Sequence, residues 1–156
     1  MLLTTPIGDG QLLEVGTAFQ VEVLARRYYQ LFNERQLDEA ERLVDPQAVF
    51  SYPAAREHLI GRAGYRELAR RWIEAFPDAR VRIMHVHVSK AMVVRAYLHA
   101  EGTHRGSLDL PGLPPIAPTG RSARFPMTET STIRNGLIVG SRLEFDPDAL
   151  RRALGL

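Results

Sequence analysis

The chain has 156 residues and a formal net charge of +2, a size at which one domain can bury a core of its own. It contains no cysteine, which excludes a disulfide scaffold, a cysteine nucleophile and a thiolate metal site and is compatible with the cytoplasmic location we expect. Of the 20 basic residues only Lys90 is not arginine, and the arginines are dispersed among acids, so the high pI does not predict a nucleic-acid interface.

The first 16 residues, MLLTTPIGDGQLLEVG, predict an irregular leader because Pro6, Gly8 and Gly10 interrupt them. A single domain is predicted over residues 17–156. The leader lacks the basic start and the apolar run of a signal peptide. No segment approaches the roughly 20 apolar residues of a membrane span, so we expect no membrane partner.

Three helices are predicted ahead of the long strands. Apolar residues at steps of three and four indicate the first helix over 18–33, and a short second helix is predicted over 37–44, closed by the Asp45-Pro46 pair. The third helix is predicted to follow Gly61 and to stop at Pro77. Its apolar stripe, which includes the candidate pocket residue Trp72, consists of Tyr65, Leu68, Trp72 and Phe76.

The remaining chain reads as strands. Asn135-Gly136 between two alternating segments is a strong hairpin signal. Strands are predicted over 48–53, 81–89, 92–104, 122–133 and 137–145. Helices segregated ahead of a mainly antiparallel sheet indicate an α+β fold. A curved sheet wrapped by helices encloses a tapering interior, which suits a small apolar ligand.

One strand carries a carboxylate on its apolar face. Alternation places Glu129 on the same face as Ala123, Phe125, Met127 and Ile133. One interpretation is structural: a register slip, a bulge, or a buried ion pair with Arg95 or Arg142. The other is a general acid or base whose pKa rises through burial.

Histidine and aspartate side chains offer weaker candidates. His104 ends a strand just before a proline-rich loop, where a structural role is favoured over one in proton transfer. His85 and His87 share one strand face, but no third ligand follows at a recognisable spacing, so we expect no metal. Asp146 precedes Pro147, a pattern typical of a helix N-cap.

Several motifs together carry a family resemblance. They are WIEAFPD (72–78), GTHRG (102–106), PTGR (118–121), IRNGLI (133–138) and the terminal ALGL. With these motifs the chain, from about residue 21 to 156, resembles the SnoaL-like polyketide (ester) cyclases of the nuclear transport factor 2-like superfamily. The resemblance implies a cone-shaped barrel, a curved mixed or antiparallel sheet wrapped by three N-terminal helices. It also implies a homodimer and cofactor-free chemistry in natural-product biosynthesis.

The polar residues of the family's cyclases are not kept in this chain. Carried over by position, the family's catalytic aspartate falls on Leu143, its histidine on Glu129, and its asparagine on Phe50 or Ser51. Glu129 nevertheless supplies a carboxylate on the strand that the predicted hairpin pairs with Leu143. The resemblance therefore implies the cavity of the family with an acid in a different place.

We accordingly expect a cofactor-independent cyclase or isomerase acting on a mostly apolar, polyketide-like small molecule. Glu129 is the candidate acid/base, with His104 and Tyr52 as weaker candidates for orienting an oxygen, under a lid formed by loop 107–121. The predicted pocket residues are Phe50, Ser51, Trp72, Tyr97, Leu98, Phe125, Met127 and Leu143. Alternatives are a pocket-shaped cyclase without acid/base chemistry, pericyclic or epoxide-opening, and a non-catalytic binding protein.

Overall fold

The computed structural model describes the backbone of residues 6–52 and 58–156, with side chains from residue 17 onward. Within these ranges the chain forms an α+β fold, as predicted. It has four helices, the three predicted N-terminal ones and the C-terminal one whose cap was predicted at Asp146, and six strands, one more than the sequence predicted. The helices are α1 (Pro6–Asn33), α2 (Leu37–Glu41), α3 (Gly61–Ala75) and α4 (Pro147–Ala153). The strands are β1 (Val44–Ser51), β2 (Leu59–Ile60), β3 (Arg80–Val88), β4 (Val93–Thr103), β5 (Ser122–Arg134) and β6 (Leu137–Glu144).

The strands form one curved, mixed sheet in the order β2-β1-β6-β5-β4-β3. All neighbouring pairs are antiparallel except β1 and β6, which are parallel. The sheet does not close on itself, since β2 and β3 lie at its two edges. Helices α1 and α3 pack against this sheet, α1 mainly on β3 and α3 mainly on β1. The enclosed space therefore lies between the two helices and one face of the strands.

The first helix begins earlier than predicted. Helix α1 starts at Pro6, so the irregular structure predicted for the leader is wrong over residues 6–16, while residues 1–5 lie outside the described chain. Proline suits the first position of a helix because its missing N–H would have no helical acceptor there. Pro6 therefore marks the start of α1 and does not indicate irregular structure.

The region after α2 also differs from the prediction. Helix α2 ends at Glu41, and Asp45-Pro46 belongs to β1 instead of closing a longer helix. Between Val44 and Val49 the pairing of β1 with β6 shifts register, so Pro46 occupies an irregular stretch where its missing N–H is tolerated. Strand β2 was not predicted because two residues are too few to show a pattern. Pro53, the predicted end of the first strand, lies outside the described residues.

The alternation predicted for β5 is confirmed. Phe125, Met127 and Glu129 are each no more than 6% exposed, and the intervening residues face the other side of the sheet. Trp72 of α3 packs on this inner face with its ring centroid 6.0 Å from that of Phe125. The aromatic side chains of α3 and β5 thereby join helix and sheet.

The C-terminal helix α4 begins as predicted. Asp146 caps it by accepting a hydrogen bond from the Asp148 backbone N–H at 2.9 Å, with Pro147 in the first turn. Leu150 and Leu154 are each 1% exposed, so this short helix covers part of the core. No helix among the described residues is both long and apolar enough to cross a membrane.

The proline-rich loop 107–121 is packed rather than free. Leu108 and Ile116 exchange backbone hydrogen bonds at 2.9 Å across the loop, and Leu108 and Leu110 are each 2% exposed. At its start, the backbone N–H of Gly106 donates to the Ala75 carbonyl at the end of α3. A side chain at Gly106 would meet the Glu74 carbonyl oxygen at 2.1 Å, so the loop lies directly against the helix.

Replacing Leu108 with alanine tests whether this loop belongs to the core. Because Leu108 is buried, we expect Leu108→Ala to lower the free energy of unfolding by about 2–5 kcal/mol, measured by urea denaturation. The partly exposed Leu113 in the same loop provides the matched control, and Leu113→Ala should cost clearly less. A Leu108→Ala effect within about 0.5 kcal/mol of wild type would show a loop detached from the core.

Candidate active site

A largely apolar pocket lies between α1, α3 and the inner face of the sheet. The cavity volume, counted as the space that the centre of a water molecule can occupy, is about 80 Å³. All the empty space between the lining residues, including the part open to solvent, amounts to about 710 Å³. Its lining consists of Tyr28, Tyr29, Phe32, Tyr65, Leu68, Ala69, Trp72, Phe76, Ala79, Arg80, Val81, Leu98, Ala100, Glu101, Gly102, Phe125, Met127, Glu129 and Leu143. Such a lining favours an apolar ligand oriented by few polar groups.

The pocket opens at one end of the sheet. Phe32 at the end of α1 and Arg80 and Val81 at the start of β3 are partly or fully exposed lining residues. Glu101 and Gly102 lie beside them, since Arg80 and Glu101 are cross-strand partners. The buried members of the lining, including Glu129, lie further inside.

Glu129 is held in the pocket wall by two hydroxyl groups. The Tyr29 hydroxyl on α1 donates to Glu129 Oε1 at 2.7 Å, and the Ser141 hydroxyl on β6 donates to Oε2. Glu129 is 5% exposed. Burial raises the pKa of Glu129, and the hydrogen bonds from Ser141 and Tyr29 oppose that rise without cancelling it.

The structural explanations for a carboxylate on this face do not apply. Glu129 pairs in regular register with Ala96 on β4 and Leu143 on β6, and the nearest irregularity in β5 comes only after Thr132. Neither arginine considered as a partner reaches it. The Arg142 side chain pairs with Glu144 at 3.7 Å, and the Arg95 guanidinium lies 5.9 Å from the Tyr97 ring centroid. None of the ion pairs in the described part of the chain includes Glu129.

Tyrosines surround the carboxylate. The ring centroid of Tyr28 lies 5.3 Å from those of both Tyr29 and Tyr65. Burial, reinforced by the charge of Glu129, raises the pKa of all three phenols, so they stay protonated and can donate hydrogen bonds. The Tyr65 hydroxyl is buried and has no hydrogen-bond partner among the described residues. This hydroxyl, on a residue that lines the pocket, can therefore still donate a hydrogen bond to a ligand.

Three residues around Glu129 were not predicted as site residues from the sequence: Tyr29, Tyr65 and Ser141. Tyr65 was assigned only to the apolar stripe of α3. Tyr29 lies 100 positions from Glu129 in the chain, and no local pattern connects the two. Ser141 gave the one usable signal, because it is a small polar residue on the inner face of a strand that the hairpin places beside β5.

The structure brings most of the predicted pocket residues together with Glu129. Those that line the pocket are Trp72, Leu98, Phe125, Met127 and Leu143. Phe50 is instead buried in the core, 1% exposed, with its ring centroid 6.2 Å from that of Tyr65. Ser51 hydrogen-bonds the Ser141 carbonyl at 3.3 Å. Phe50 and Ser51 therefore lie outside the pocket lining.

Tyr97 was predicted to line the pocket and does not. It is 41% exposed, and its ring lies 5.9 Å from that of His85 on the outer face of the sheet. Successive residues of a strand face opposite sides, so the inward position belongs to Leu98, the neighbouring candidate.

His104 and Tyr52 are buried but do not line the pocket. His104 Nδ1 accepts a hydrogen bond from the Thr119 backbone N–H at 3.2 Å, and its ring stacks on Phe76 at 5.1 Å. Burial lowers the pKa of His104, with the Gly106 backbone opposing that change. His104 thus ties the two ends of the proline-rich loop together. The Tyr52 hydroxyl is buried and has no hydrogen-bond partner among the described residues. Burial raises the pKa of Tyr52, and the neighbouring Trp72 side chain opposes that rise.

The remaining predicted features lie away from the pocket. None of residues 107–121 lines it, so the loop does not form the predicted lid. The loop's buried leucines hold it against the core instead. His85 and His87 are exposed on β3, and the described residues contain no group of three side chains able to hold a metal ion.

The pH dependence of stability tests the state of Glu129. Its pKa is raised in the folded protein, so stability present below the unfolded pKa, near 4.5, is lost as pH rises through the folded value. Glu129→Gln cannot ionise, and its amide can accept from one hydroxyl and donate to the other. The variant should therefore gain stability relative to wild type as pH rises between about 5 and 8. Urea denaturation across this range measures the difference.

The control for this experiment is Glu144→Gln on β6. Its carboxylate side chain is 42% exposed and lies outside the pocket lining, so this variant controls for the loss of one negative charge from the protein. If Glu129→Gln instead lost about 3 kcal/mol or more at every pH, Glu129 would belong to a buried ion pair.

Comparisons with known proteins agree with this architecture. A family model described as SnoaL-like polyketide cyclase matches residues 22–154. No match was found among curated proteins. One similar solved structure is IdmH from Streptomyces antibioticus, a proposed polyketide cyclase. It is 26% identical, with 88% of this chain and 99% of that chain covered and a TM-score of 0.70.

Two further structures share the fold at lower identity. A proposed SnoaL-like polyketide cyclase from Jannaschia sp. CCS1 is 17% identical, covers 88% of this chain and 92% of its own, and has a TM-score of 0.75. A proposed ketosteroid isomerase from Kribbella flavida is 16% identical, covers 83% and 79%, and has a TM-score of 0.62. The fold of this chain is nuclear transport factor 2-like. Since the family model matches most of the chain, the protein belongs to the SnoaL-like polyketide cyclase family.

Proposed function

We propose that the protein is a cofactor-independent cyclase or isomerase that acts on a mostly apolar, polyketide-like intermediate of natural-product biosynthesis. Family membership supports the reaction class. The observation that carries the mechanism is Glu129, a carboxylate buried in the wall of an apolar pocket, held by two hydroxyls and without a cationic partner in the described chain. Glu129 is the acid/base of this proposal.

A desolvated carboxylate suits proton transfer at carbon. Burial raises the pKa of Glu129, which makes its ionised form a stronger base than an exposed glutamate and its protonated form available nearer neutral pH. The carboxylate takes a proton from a C–H next to a substrate carbonyl, which leaves an enolate. The protonated acid then returns the proton.

The same proton removal and return by Glu129 can lead to a cyclisation or to an isomerisation. In a cyclisation the enolate carbon attacks a second carbonyl of the substrate, one C–C bond forms, and the new alkoxide receives the proton from Glu129. In an isomerisation the proton returns to a different carbon. Both sequences conserve atoms and electrons without a cofactor. The rigid apolar wall formed by Trp72, Phe125 and Leu143 supports a compact substrate conformation.

Tyr65 supplies a hydrogen bond to the enolate oxygen in this proposal. Its hydroxyl is protonated, buried and without a partner among the described residues, and the residue lines the same pocket as Glu129. Donors fixed in advance in a dry site stabilise developing negative charge more effectively than water does. Tyr65 takes the role that the sequence analysis gave to His104 and Tyr52, which lie outside the pocket lining.

The proposal includes an assembly and a location. A homodimer would form through the outer face of the sheet, where Met84 and Tyr97 are 52% and 41% exposed. The expected location is the cytoplasm.

Deuterium uptake from solvent tests the acid/base role without the natural substrate. Wild type should accelerate the exchange of hydrogen for deuterium at the carbon next to the carbonyl of apolar bicyclic ketones such as tetralone. The exchange is followed by NMR in D₂O. Glu129→Gln should lower the rate by about 10²–10⁴-fold, because it removes the base while preserving shape. Ketone affinity, measured by calorimetry, should be nearly unchanged.

The matched control is Glu144→Gln, which removes an equal charge outside the pocket and should exchange like wild type. Equal acceleration of exchange by wild type and Glu129→Gln would show that another group is the base and would overturn the role of Glu129. Ketone binding without exchange in either protein would exclude acid/base catalysis and favour the alternatives, a pocket-shaped cyclase or a non-catalytic binding protein.

Tyr65→Phe separates a catalytic hydroxyl from a structural one. We expect deuterium uptake to fall by about 10²–10³-fold, as for loss of one oxyanion donor. Stability should be unchanged or higher, because the substitution removes a buried hydroxyl that has no partner among the described residues. Tyr29→Phe provides the contrast, since it removes a hydrogen bond to Glu129 and should also lower stability. A Tyr65→Phe variant with full exchange would exclude the proposed donor.

A further inference from the structure

The buried polar side chains of the sheet are concentrated around Glu129. Four polar or charged residues are buried in the described chain, and three of them lie on the inner face of the β5–β6 hairpin: Glu129, Ser131 and Ser141. Ser131 and Ser141 are 6% and 7% exposed and lie directly opposite each other in the ladder. The two serines therefore present the same hydroxyl group at neighbouring positions of one wall.

The two serines differ in their contact with Glu129. The Ser141 hydroxyl donates to Glu129 Oε2, while the Tyr29 hydroxyl occupies the other carboxylate oxygen. Within residues 6–52 and 58–156, no hydrogen bond joins Ser131 to Glu129. Of the two serines, Ser141 is therefore the one that interacts directly with the candidate acid/base.

The sheet holds Ser141 on both sides. Strand β6 lies between β5 and β1, and Ser141 pairs with Ser131 in one ladder and with Phe50 in the other. Its backbone carbonyl also accepts a hydrogen bond from the Ser51 hydroxyl at 3.3 Å. The Tyr29 hydroxyl stands instead at the end of a long side chain on α1. Groups placed on a packed strand are held precisely, so Ser141 sets the orientation of the carboxylate.

A hydroxyl partner suits a carboxylate that has to change its protonation state. Arginine and lysine side chains can only donate hydrogen bonds, so they stabilise the ionised carboxylate alone. A hydroxyl can donate to the ionised form and, after rotation about its C–O bond, accept a hydrogen bond from the protonated form. The Ser141 hydroxyl can therefore stay hydrogen-bonded to Glu129 before and after Glu129 takes up a proton.

We propose that Ser141 is a positioning residue for proton transfer at Glu129: its hydroxyl orients the ionised carboxylate and then accepts a hydrogen bond from the acid. This inference rests on the proposed function and adds a residue to the same site. Ser141 is not among the pocket-lining residues, so it acts through Glu129 and not on the substrate. Without it, Glu129 Oε2 loses its donor, which disfavours the ionised form and leaves the carboxyl group free to rotate.

The other groups around Glu129 do not titrate near neutral pH. Its cross-strand neighbours are apolar, Ala96 on β4 and Leu143 on β6. Burial, with a contribution from the charge of Glu129, raises the pKa of four phenols, which therefore stay protonated between pH 5 and 8: Tyr28, Tyr29, Tyr52 and Tyr65. A change in the titration of Glu129 can therefore be assigned to the hydroxyl that was substituted.

The titration of Glu129 tests this role without a substrate. In protein labelled with carbon-13 at the glutamate side-chain carboxyl, the NMR signal of Glu129 is the one missing from Glu129→Gln. We expect Ser141→Ala to raise the midpoint of this titration by about one pH unit, because the ionised form loses a donor. Ser141→Thr keeps a hydroxyl and should restore the wild-type midpoint. Ser131→Ala, the matched control, should titrate like wild type.

Deuterium uptake by tetralone measures the consequence for the reaction. In Ser141→Ala the pH of half-maximal uptake should rise together with the titration midpoint, because the ionised carboxylate is the base. The maximal rate should fall about tenfold, because the base is less well oriented, while ketone affinity stays unchanged. Ser141→Thr should recover most of the rate, and Ser131→Ala should exchange like wild type.

Three results would overturn the role of Ser141. One is an unchanged Glu129 titration in Ser141→Ala, and another is an equal rise in Ser131→Ala, which would assign the effect to the polarity of the wall. The third is a raised midpoint without any change in the pH profile or rate of uptake. A wild type that shows no uptake would overturn the proposed function, whereas the titration would still decide whether Ser141 holds Glu129, so the two failures are distinguishable.

Discussion

The site depends on keeping one carboxylate inside an apolar wall, with no cation beside it in the part of the chain that the structure describes. Removing a charge from water costs several kcal/mol unless hydrogen bonds replace the lost hydration. Here the Tyr29 and Ser141 hydroxyls supply that replacement, and hydrogen bonds to charged groups contribute about 1.5–3 kcal/mol each. One donor comes from α1 and the other from β6, so the carboxylate has its two partners only when helix and sheet are assembled. These two hydrogen bonds offset only part of the cost of burying the charge, and the pKa of Glu129 is therefore raised.

The sequence was most informative where a pattern is local. Alternation in β5 placed Glu129 inside, Asn135-Gly136 placed the hairpin, and Asp146-Pro147 placed the start of α4. Prediction failed where a local signal had two interpretations. Pro6 suits either an irregular leader or a helix start, and the loop prolines suit either a lid or a packed connection whose leucines are buried. The partners of Glu129 could not be predicted, because the Tyr29 contact joins residues 100 positions apart.

The positions implied by the family resemblance converge on one patch of the sheet. The position of the family's aspartate is Leu143, which lies directly opposite Glu129 in the β5–β6 ladder. Residues opposite each other in antiparallel strands have Cβ atoms only about 5 Å apart. The candidate asparagine positions, Phe50 and Ser51, adjoin β6 on its other side, and Phe50 pairs with Ser141. A carboxylate at position 129 on β5 therefore faces the same pocket as a carboxylate at position 143 on β6 would. At position 129 it also accepts a hydrogen bond from Ser141.

The burial that raises the pKa of Glu129 also restricts which ligand groups can bind next to it. Any charged substrate group brought to the inner end would lose its hydration without gaining a partner, and an anion would also be repelled. Selection by charge must then occur where water is still present, at the opening, and selection by shape must occur along the apolar middle. Trp72, Phe125 and Leu143 line that apolar middle. Among the described residues, Glu129 is the buried carboxylate, and the proposed proton transfer would take place in the least polar part of the pocket.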